Sequence, residues 1–335
     1  TGYFLASYDT YGAEGYIMSA GDYYLAVGSS AHDALNNILA AKGYTVADGM
    51  DADGNADLTY TWNQEQLDTD SYRYSEENGT EVTNQFEFAD LNYYGIDFTY
   101  LSRNDWDSTY PAMIPVEMSE EMLKDMVANW YNSADYDTGE TYTTGADNGI
   151  TFADLYYTDY DDEETWNAFL DQLTIEEMLT LLSDNDGYEA INSVGMPGMK
   201  RTDDNIGIGS LTCTGTDALT WVSEVTTSRT WNTERFTQRG HLLGIEAVFC
   251  DANEIWYGGG NIHRTAFGGR NNQYYAEDGN YGYLVGAYEA EAMQNVGVIY
   301  CIKHFALNDQ ETGRNGVSTF TNEQALREIY LRSFE

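Results

Sequence analysis

From residue 160 onward the apolar positions alternate between two periods. In "DDEETWNAFLDQLTIEEMLTLLSDNDG", Trp166, Phe169, Leu170 and Leu173 recur at three-, four- and seven-residue spacing, which predicts one buried face of a helix. Thr174 and Glu177 then form a capping box ahead of Met178, Leu179 and Leu182. "GMPGMKRTDDNIGIG" reads as a short strand ending in two aspartates, "EIWYGGG" as a strand ending in glycines, and "VIYCI" as a buried β-branched and aromatic strand. Between them, "TWNTERFTQRGHLLGIEAV" and "GYLVGAYEAEAMQNVG" carry helical patterns. "TNEQALREIYLRSFE" predicts a last helix, opened by the capping box Thr321-x-x-Gln324 and striped by Leu326, Ile329, Tyr330 and Phe334. Strands alternating with helices imply a parallel sheet, so the fold class is α/β.

Before residue 160 the pattern is less regular. "GYIMSAGDYYLAVGSS" contains two short strand-like runs with a Gly-Asp turn between them, and Tyr23, Leu25 and Val27 share one face of the second. "AHDALNNILAAKG" is a short helix stopped by Gly43. Residues 60 to 160 are rich in Tyr, Asn, Asp and Gly and read as an irregular connector with short strands such as "YGIDFTYLS". One helix, "SEEMLKDMVANWY", starts at Ser119 with Glu120 and Glu121 where the helix dipole favours acids. Asn78-Gly79-Thr80 is a glycosylation sequon. The opening residues read as the middle of a domain.

Polar groups gather where the strands end: Asp203 and Asp204, then Asn261 to Arg270, then Lys303 and His304. In a parallel barrel the C-terminal strand ends converge on one face, where active sites sit. A carboxylate, a guanidinium, an ammonium and an imidazole on one rim can hold vicinal hydroxyls through paired hydrogen bonds. The bland alternatives are a core role for His304 and an internal Lys–Asp ion pair for Lys303.

Composition narrows the ligand. With 56 acidic against 15 basic residues the net charge is −41, which repels nucleic acid and anionic membranes and favours a neutral substrate. Cys213, Cys250 and Cys301 form no CxxC pair, so no zinc site is expected. No phosphate loop or GxSxG elbow is present; Gly258-Gly259-Gly260 is a bare triplet, and no cofactor is expected. Against an EF-hand loop starting at Asp51 the glycine and the closing glutamate are misplaced, so the acidic stretch at 48–57 leaves calcium open. No apolar run is long enough to cross a membrane. The 29 tyrosines and scarce lysine suit secreted carbohydrate-active proteins, which points to an extracellular or cell-surface site, with the cytoplasm as the alternative.

"NIHRTAFGGRNNQYYAED" (261–278) and "KHFALNDQETGRNGVSTFTNEQALREIYLRSFE" (303–335) resemble the barrel motifs of glycoside hydrolase family 3, which holds β-glucosidases and related exo-acting enzymes. "FLDQLTIEEMLTLLSDN" and "GMPGMKRTDDNIGIG" resemble the opening helix and first strand of that barrel. The resemblance implies a retaining β-glucosidase that removes non-reducing-end sugars from an oligosaccharide or β-glucoside. It also implies that Asp203, Arg270, Lys303 and His304 bind the sugar hydroxyls. "AGDYYLAVGSSAHDALNNILAAKG" resembles the closing strands of that family's fibronectin-III-like β-sandwich, and "NQFEFADLNYYGIDFTYLSRNDWDSTYPA" the connector of members with swapped domain order. The implied organisation is the end of a fibronectin-III-like domain at 1–40, a connector at 41–160, and the first part of a (β/α)8 TIM-type barrel at 161–335.

The sequence departs from the family at two places. Asp203-Asp204-Asn205 stands where Asp-Gly-Pro is usual, and "WYGGGNIHR" lacks a proline and looks one residue short. Retaining hydrolysis needs two carboxylates about 5 Å apart. The family's nucleophile lies on a later strand and its acid/base on a companion sandwich domain. Asp309 and Glu311 match ordinary positions of the Lys-His motif, so no catalytic carboxylate is assigned here. About three strand-plus-helix units are visible, whereas closing such a barrel takes eight, in roughly 250 residues. The chain alone is therefore expected to be inactive. Its missing strands and sandwich domain would come from the rest of the polypeptide or from another chain. A non-catalytic glycan-binding or structural surface protein of the same fold is the competing reading.

Overall fold

The computed structural model describes residues 5–100, 115–127, 137–140, 143–183, 187–203, 205–209 and 218–335. The chain divides into two compact units, Thr1–Met113 with Phe320–Glu328, and Ile114–Thr319 with Ile329–Glu335. These limits differ from the boundaries at 40 and 160 expected from sequence.

In the first unit, strand β1 (Ser7–Asp9) pairs antiparallel with β2 (Gly15–Ile17), and β3 (Gly21–Ala26) with β4 (Thr59–Gln64). The two runs read as neighbours around a Gly-Asp turn therefore pair with different partners, and Gly21-Asp22 begins β3 instead of turning the chain. Tyr23, Leu25 and Val27 do share a side, facing Trp62 and Tyr60, but Leu25 and Val27 are exposed. Helix α1 (Ala31–Ala41) starts as read: Ser30 caps it by accepting from the Asp33 amide, and the chain leaves at Gly43 with φ +86°. Its Asn37 side chain ties the unit together, donating to the Val27 carbonyl and accepting from the Asn55 amide. In the acidic stretch, the Asp51 carboxylate accepts from Asn36 at 2.8 Å and lies 3.5 Å from the His32 imidazole.

The connector is mostly single turns. Short 3₁₀ turns cover Glu87–Ala89 and Leu91–Tyr94, and no strand forms between Tyr94 and Tyr100; residues 101 and 102 of the expected strand lie outside the described residues. Asn92 explains this, because its side chain bonds the Phe98 amide and carbonyl and folds the segment back on itself.

The expected last helix does not form as a regular α-helix. Asn322, not Thr321, caps a three-residue turn, Glu323–Ala325, which widens to a π turn at Leu326–Tyr330 and tightens to a 3₁₀ turn at Arg332–Phe334. Tertiary bonds override the local pattern: Thr10 takes the Gln324 amide and Ser7 takes its side chain, so the capping box is broken. Glu328 accepts from the Tyr8 amide and the Ser7 hydroxyl, and Glu323 from the Phe86 amide. The predicted stripe is split, with Leu326 in the first unit and Ile329 and Phe334 in the second.

The second unit holds α2 (Glu120–Val127), whose start Ser119 caps as expected; residues 128–131 of the expected helix lie outside the described residues. Helices α3 (Glu163–Leu170) and α4 (Ile175–Ser183) follow, the latter with the Thr174–Glu177 box in place. Phe169 and Leu173 are buried with Leu155, Ile191 and Val194 in a small core. The sheet has the order β5 (Gly187–Tyr188), β6 (Met199–Asp203), β7 (Glu254–Gly259), β8 (Ile299–Lys303). β5 is antiparallel to β6, while β6, β7 and β8 run parallel. Between them lie α5 (Glu224–Ser228), α6 (Thr233–Phe249) and α7 (Gly279–Gln294). This is the strand–helix alternation that the sequence predicts.

β7 is buried along nearly its whole length, whereas β8 pairs on one side and stays half-open. Ile255 and Tyr257 of β7 pack with Leu243 and Ala247 of α6, Met293 of α7, and Val298. Each such apolar side chain contributes about 1.5–3 kcal/mol on burial. α6 and α7 approach closely at Gly240, where a Cβ would strike the Glu289 backbone. Between the helices and the sheet, Arg239 pairs with Glu289 at 2.8 Å, and the hydroxyls of Tyr275 and Tyr300 also reach Glu289. Both charged side chains are almost wholly buried. Nearby Glu224 is fully buried, and burial raises its carboxyl well above the usual range.

Candidate functional site

Parallel pairing sets Asp203 at the end of β6 and Lys303 at the end of β8, on the same edge of the sheet. Lys303 Nζ donates to Asp203 Oδ1, bridging residues that are 100 apart in sequence. The lysine side chain is 12% exposed and the aspartate 55%, so the pair is anchored inside and opens outward. A buried ammonium demands such a partner.

His304 follows directly. Its Nε2 lies 3.4 Å from Arg270 Nη1 and its Nδ1 lies 3.2 Å from the Tyr274 hydroxyl. A guanidinium only donates, so Nε2 accepts and Nδ1 carries the proton toward Tyr274. Burial, followed by the charges of Arg270 and Lys303, pushes the imidazole down to about 4, which keeps it neutral at physiological pH.

Arg270 is held on three sides. Its Nε donates to Glu311 Oε1 at 2.5 Å, and its Nη1 to Gln273 Oε1 at 3.0 Å and to His304. Glu311 also accepts from Asn308 Nδ2 at 2.9 Å and from Arg314. The hydrogen bond from Arg270, with those from Asn308 and the neighbouring guanidinium charges, lowers this carboxyl to about 2. Glu311 is therefore an ionised clamp with three donors already on its carboxylate. Asp309 is tied differently, to the Tyr330 hydroxyl and to Asn261, and burial raises its carboxyl.

Two loops are stitched together beneath these groups. Buried Asn261 accepts from the Asn308 amide at 2.8 Å, and Asn308 Nδ2 donates to the Tyr274 hydroxyl at 2.8 Å. The glycine triplet makes the stitching possible. Gly259 accepts from the Tyr275 amide and Gly260 donates to the Lys303 carbonyl. A Cβ at Gly259 would fall on the Gln273 carbonyl oxygen, and Gly258 adopts φ +80° against the Tyr300 ring. The triplet is a packing device between the 270s loop and β8, not a phosphate loop.

Asp203, Lys303, His304 and Arg270 thus form one continuous run of contacts. It presents an acceptor, an ammonium and a guanidinium within a small area, which suits a polyol. Sequence reading gave a binding role to these four alone; it noted Asn261 and Asn308 among the polar residues near strand ends without a role, and did not read Gln273, Tyr274 or the clamping role of Glu311. The signal for them lay in the quoted motifs, where amides and a tyrosine sit beside each charged residue. Asp204 lies outside the described residues. Among the described residues no cluster of three His, Cys, Asp or Glu could hold a metal ion, and no helix is long and apolar enough to cross a membrane.

No family model matches the chain. A β-glucosidase from Rhizobium radiobacter is 34% identical over 170 residues, which is 50% of this chain and 21% of that protein. The GH3 β-glucosidase structure from Bifidobacterium adolescentis is 32% identical over 48% of this chain and 24% of its own, with a TM-score of 0.45. A β-glucosidase structure from Paenibacillus barengoltzii covers 99% of this chain and 33% of its own at 20% identity, with a TM-score of 0.59; the two share a fold. The chain spans about a fifth of the length of the curated relatives it matches. The motifs and the sequence match agree: over half of its length this chain is similar to β-glucosidases and resembles those of glycoside hydrolase family 3, and it spans only part of their length.

Proposed function

We propose that this chain forms part of an exo-acting, retaining β-glucosidase and supplies half of the shell that grips the non-reducing-end sugar. The observation that carries the reading is the run of contacts Asp203–Lys303–His304–Arg270 at the ends of parallel strands. Asp203 accepts from one sugar hydroxyl, while Lys303 and Arg270 donate to its neighbours. Neutral His304 adds no third positive charge beside them. The substrate is a β-glucoside or an oligosaccharide ending in one.

Neither Glu311 nor Asp309 serves as nucleophile in this reading, because each is already bound by other side chains. The nucleophile and the acid/base belong to further strands and to a sandwich domain of the same polypeptide or another chain. β6, β7 and β8 are read as the first parallel strands of a (β/α)8 barrel, with residues 161–335 as its opening part and 41–160 as the connector. Residues 1–40, which hold β1 to β3, are read as the end of a fibronectin-III-like domain. The tyrosine-rich, strongly acidic surface supports an extracellular or cell-surface location.

The test is hydrolysis of 4-nitrophenyl β-D-glucopyranoside by this chain and by a longer polypeptide that contains it. The longer one is expected to hydrolyse the glucoside, and its Asp203→Asn variant to lose about 100-fold in kcat/KM. Activity of the chain alone, or an Asp203→Asn variant as active as its parent, would overturn the proposal.

A further inference from the structure

A cleft of about 350 Å³ has Trp231, Tyr281, His263, Arg229, Glu277 and Asp278 in its lining. Three features set it apart from ordinary surface. Trp231 stacks on Tyr281 with ring centroids 4.0 Å apart and planes 19° from parallel, yet the residue stays 74% exposed, so its other indole face is open. Its backbone sits at φ +51°, a strained conformation for a bulky residue that is kept when the surroundings impose it. The surroundings here are specific: Tyr281 donates to the Ser228 carbonyl, and Ser228 Oγ to the Tyr275 carbonyl at 2.6 Å. The aromatic pair is therefore a fixed platform on a braced floor.

Polar groups of both kinds surround the platform. Glu277 and Asp278 supply acceptors and Arg229 a guanidinium. His263 Nε2 donates to the Tyr274 carbonyl at 2.8 Å, and burial lowers the imidazole, so it adds no charge. A flat apolar face beside donors and acceptors matches a pyranose, whose axial C–H face stacks while its equatorial hydroxyls reach the rim. The carboxylates and the net charge of −41 repel an anion. Arg229 offsets only one of the two carboxylates, so an ammonium is the competing ligand for the open indole, and the test carries a choline arm to separate the two.

We infer that the Trp231 cleft is a second binding site for a neutral pyranose, separate from the Asp203–Lys303 cluster. It shares with the proposed function only the class of ligand and stands on different residues. Two sugar sites drawing on one loop would let a single oligosaccharide or two chain ends be held at once.

The test follows the tryptophan indole N–H resonances of this chain by NMR while methyl β-D-glucopyranoside is added, with choline chloride as a parallel arm. Trp231→Phe identifies the Trp231 signal. A saturable shift of that signal below about 100 mM sugar is expected, and Glu277→Gln should weaken it about ten-fold while leaving the fold intact. Asp203→Asn should leave the Trp231 shift unchanged, which separates this inference from the proposed function. A Trp231 signal that ignores the sugar at about 100 mM, or that moves with choline alone, overturns the inference. A Trp231 shift that vanishes in Asp203→Asn also overturns it, since the two sites would then be one.

Discussion

Arg270 and Glu311, 41 residues apart, meet at 2.5 Å, with the guanidinium Nε donating to a carboxylate oxygen. The pair fixes the direction in which Arg270 presents its remaining N–H groups, and both side chains are about a quarter exposed. Glu311→Gln should cost about 1–2 kcal/mol, seen as a lower midpoint in urea, because a partly buried charge-assisted bond is lost. Glucose binding by the same variant should weaken more than stability does, since Arg270 is freed. A variant that matches its parent in both measurements would show the clamp to be idle.

His304 gives a pH dependence of definite sign. Its ordinary value of 6.5 is lowered to about 4 in the folded chain. Between those values an unfolded chain binds a proton that the folded one refuses, so this group's contribution is complete above pH 6.5 and is lost as the pH falls toward 4. Unfolding midpoints across that window should fall more steeply for the parent than for His304→Gln. Parallel curves would remove His304 from the account.

Tyr274→Phe keeps the ring and deletes the hydroxyl that faces His304 Nδ1. The imidazole ¹⁵N pattern should stay that of the Nδ1–H form, because Arg270 can only donate and so keeps Nε2 the acceptor. A mixture of tautomers in the variant would show that the Tyr274 hydroxyl, not Arg270, makes the selection.

The buried Arg239–Glu289 pair should be costly to break and cheap to replace. Glu289→Leu alone leaves a guanidinium stranded and should lose about 3–5 kcal/mol, whereas Arg239→Met with Glu289→Leu should recover most of it. A double-mutant cycle in urea measures the difference. Equal losses in the single and double variants would contradict the argument.

Asp203 and Lys303 were legible because each closes a strand, with His304 the next residue, and parallel strands end on one side; Arg270, in the loop after β7, was legible only through its motif. Three strand–helix repeats with clear periods made that inference short. The supporting amides were not legible: Asn261 and Asn308 meet across 47 residues, and nothing local announces the contact. The segment after Thr321 misled for a related reason. Its helical stripe is real, but Thr10, Ser7 and Ala89 compete for the same backbone and side-chain groups, and those partners lie over 200 residues earlier. The short pairing of β3 with β4 was hidden likewise, because a helix and more than 30 residues separate the strands.

The glycine triplet at 258–260 shows that the dimensions of a site can reside in atoms that are missing. The groups proposed to touch a ligand are carried by the 270s loop or by the strand ends, and at Gly259 bare backbone is all that fits between β7 and that loop. Residues without side chains act there as a spacer of minimum width. A methyl added at Gly259 would leave every charge on the chain and still press on the Gln273 carbonyl of the loop that carries Arg270. The seating of that loop is thus inherited from a position that no inventory of reactive groups would include.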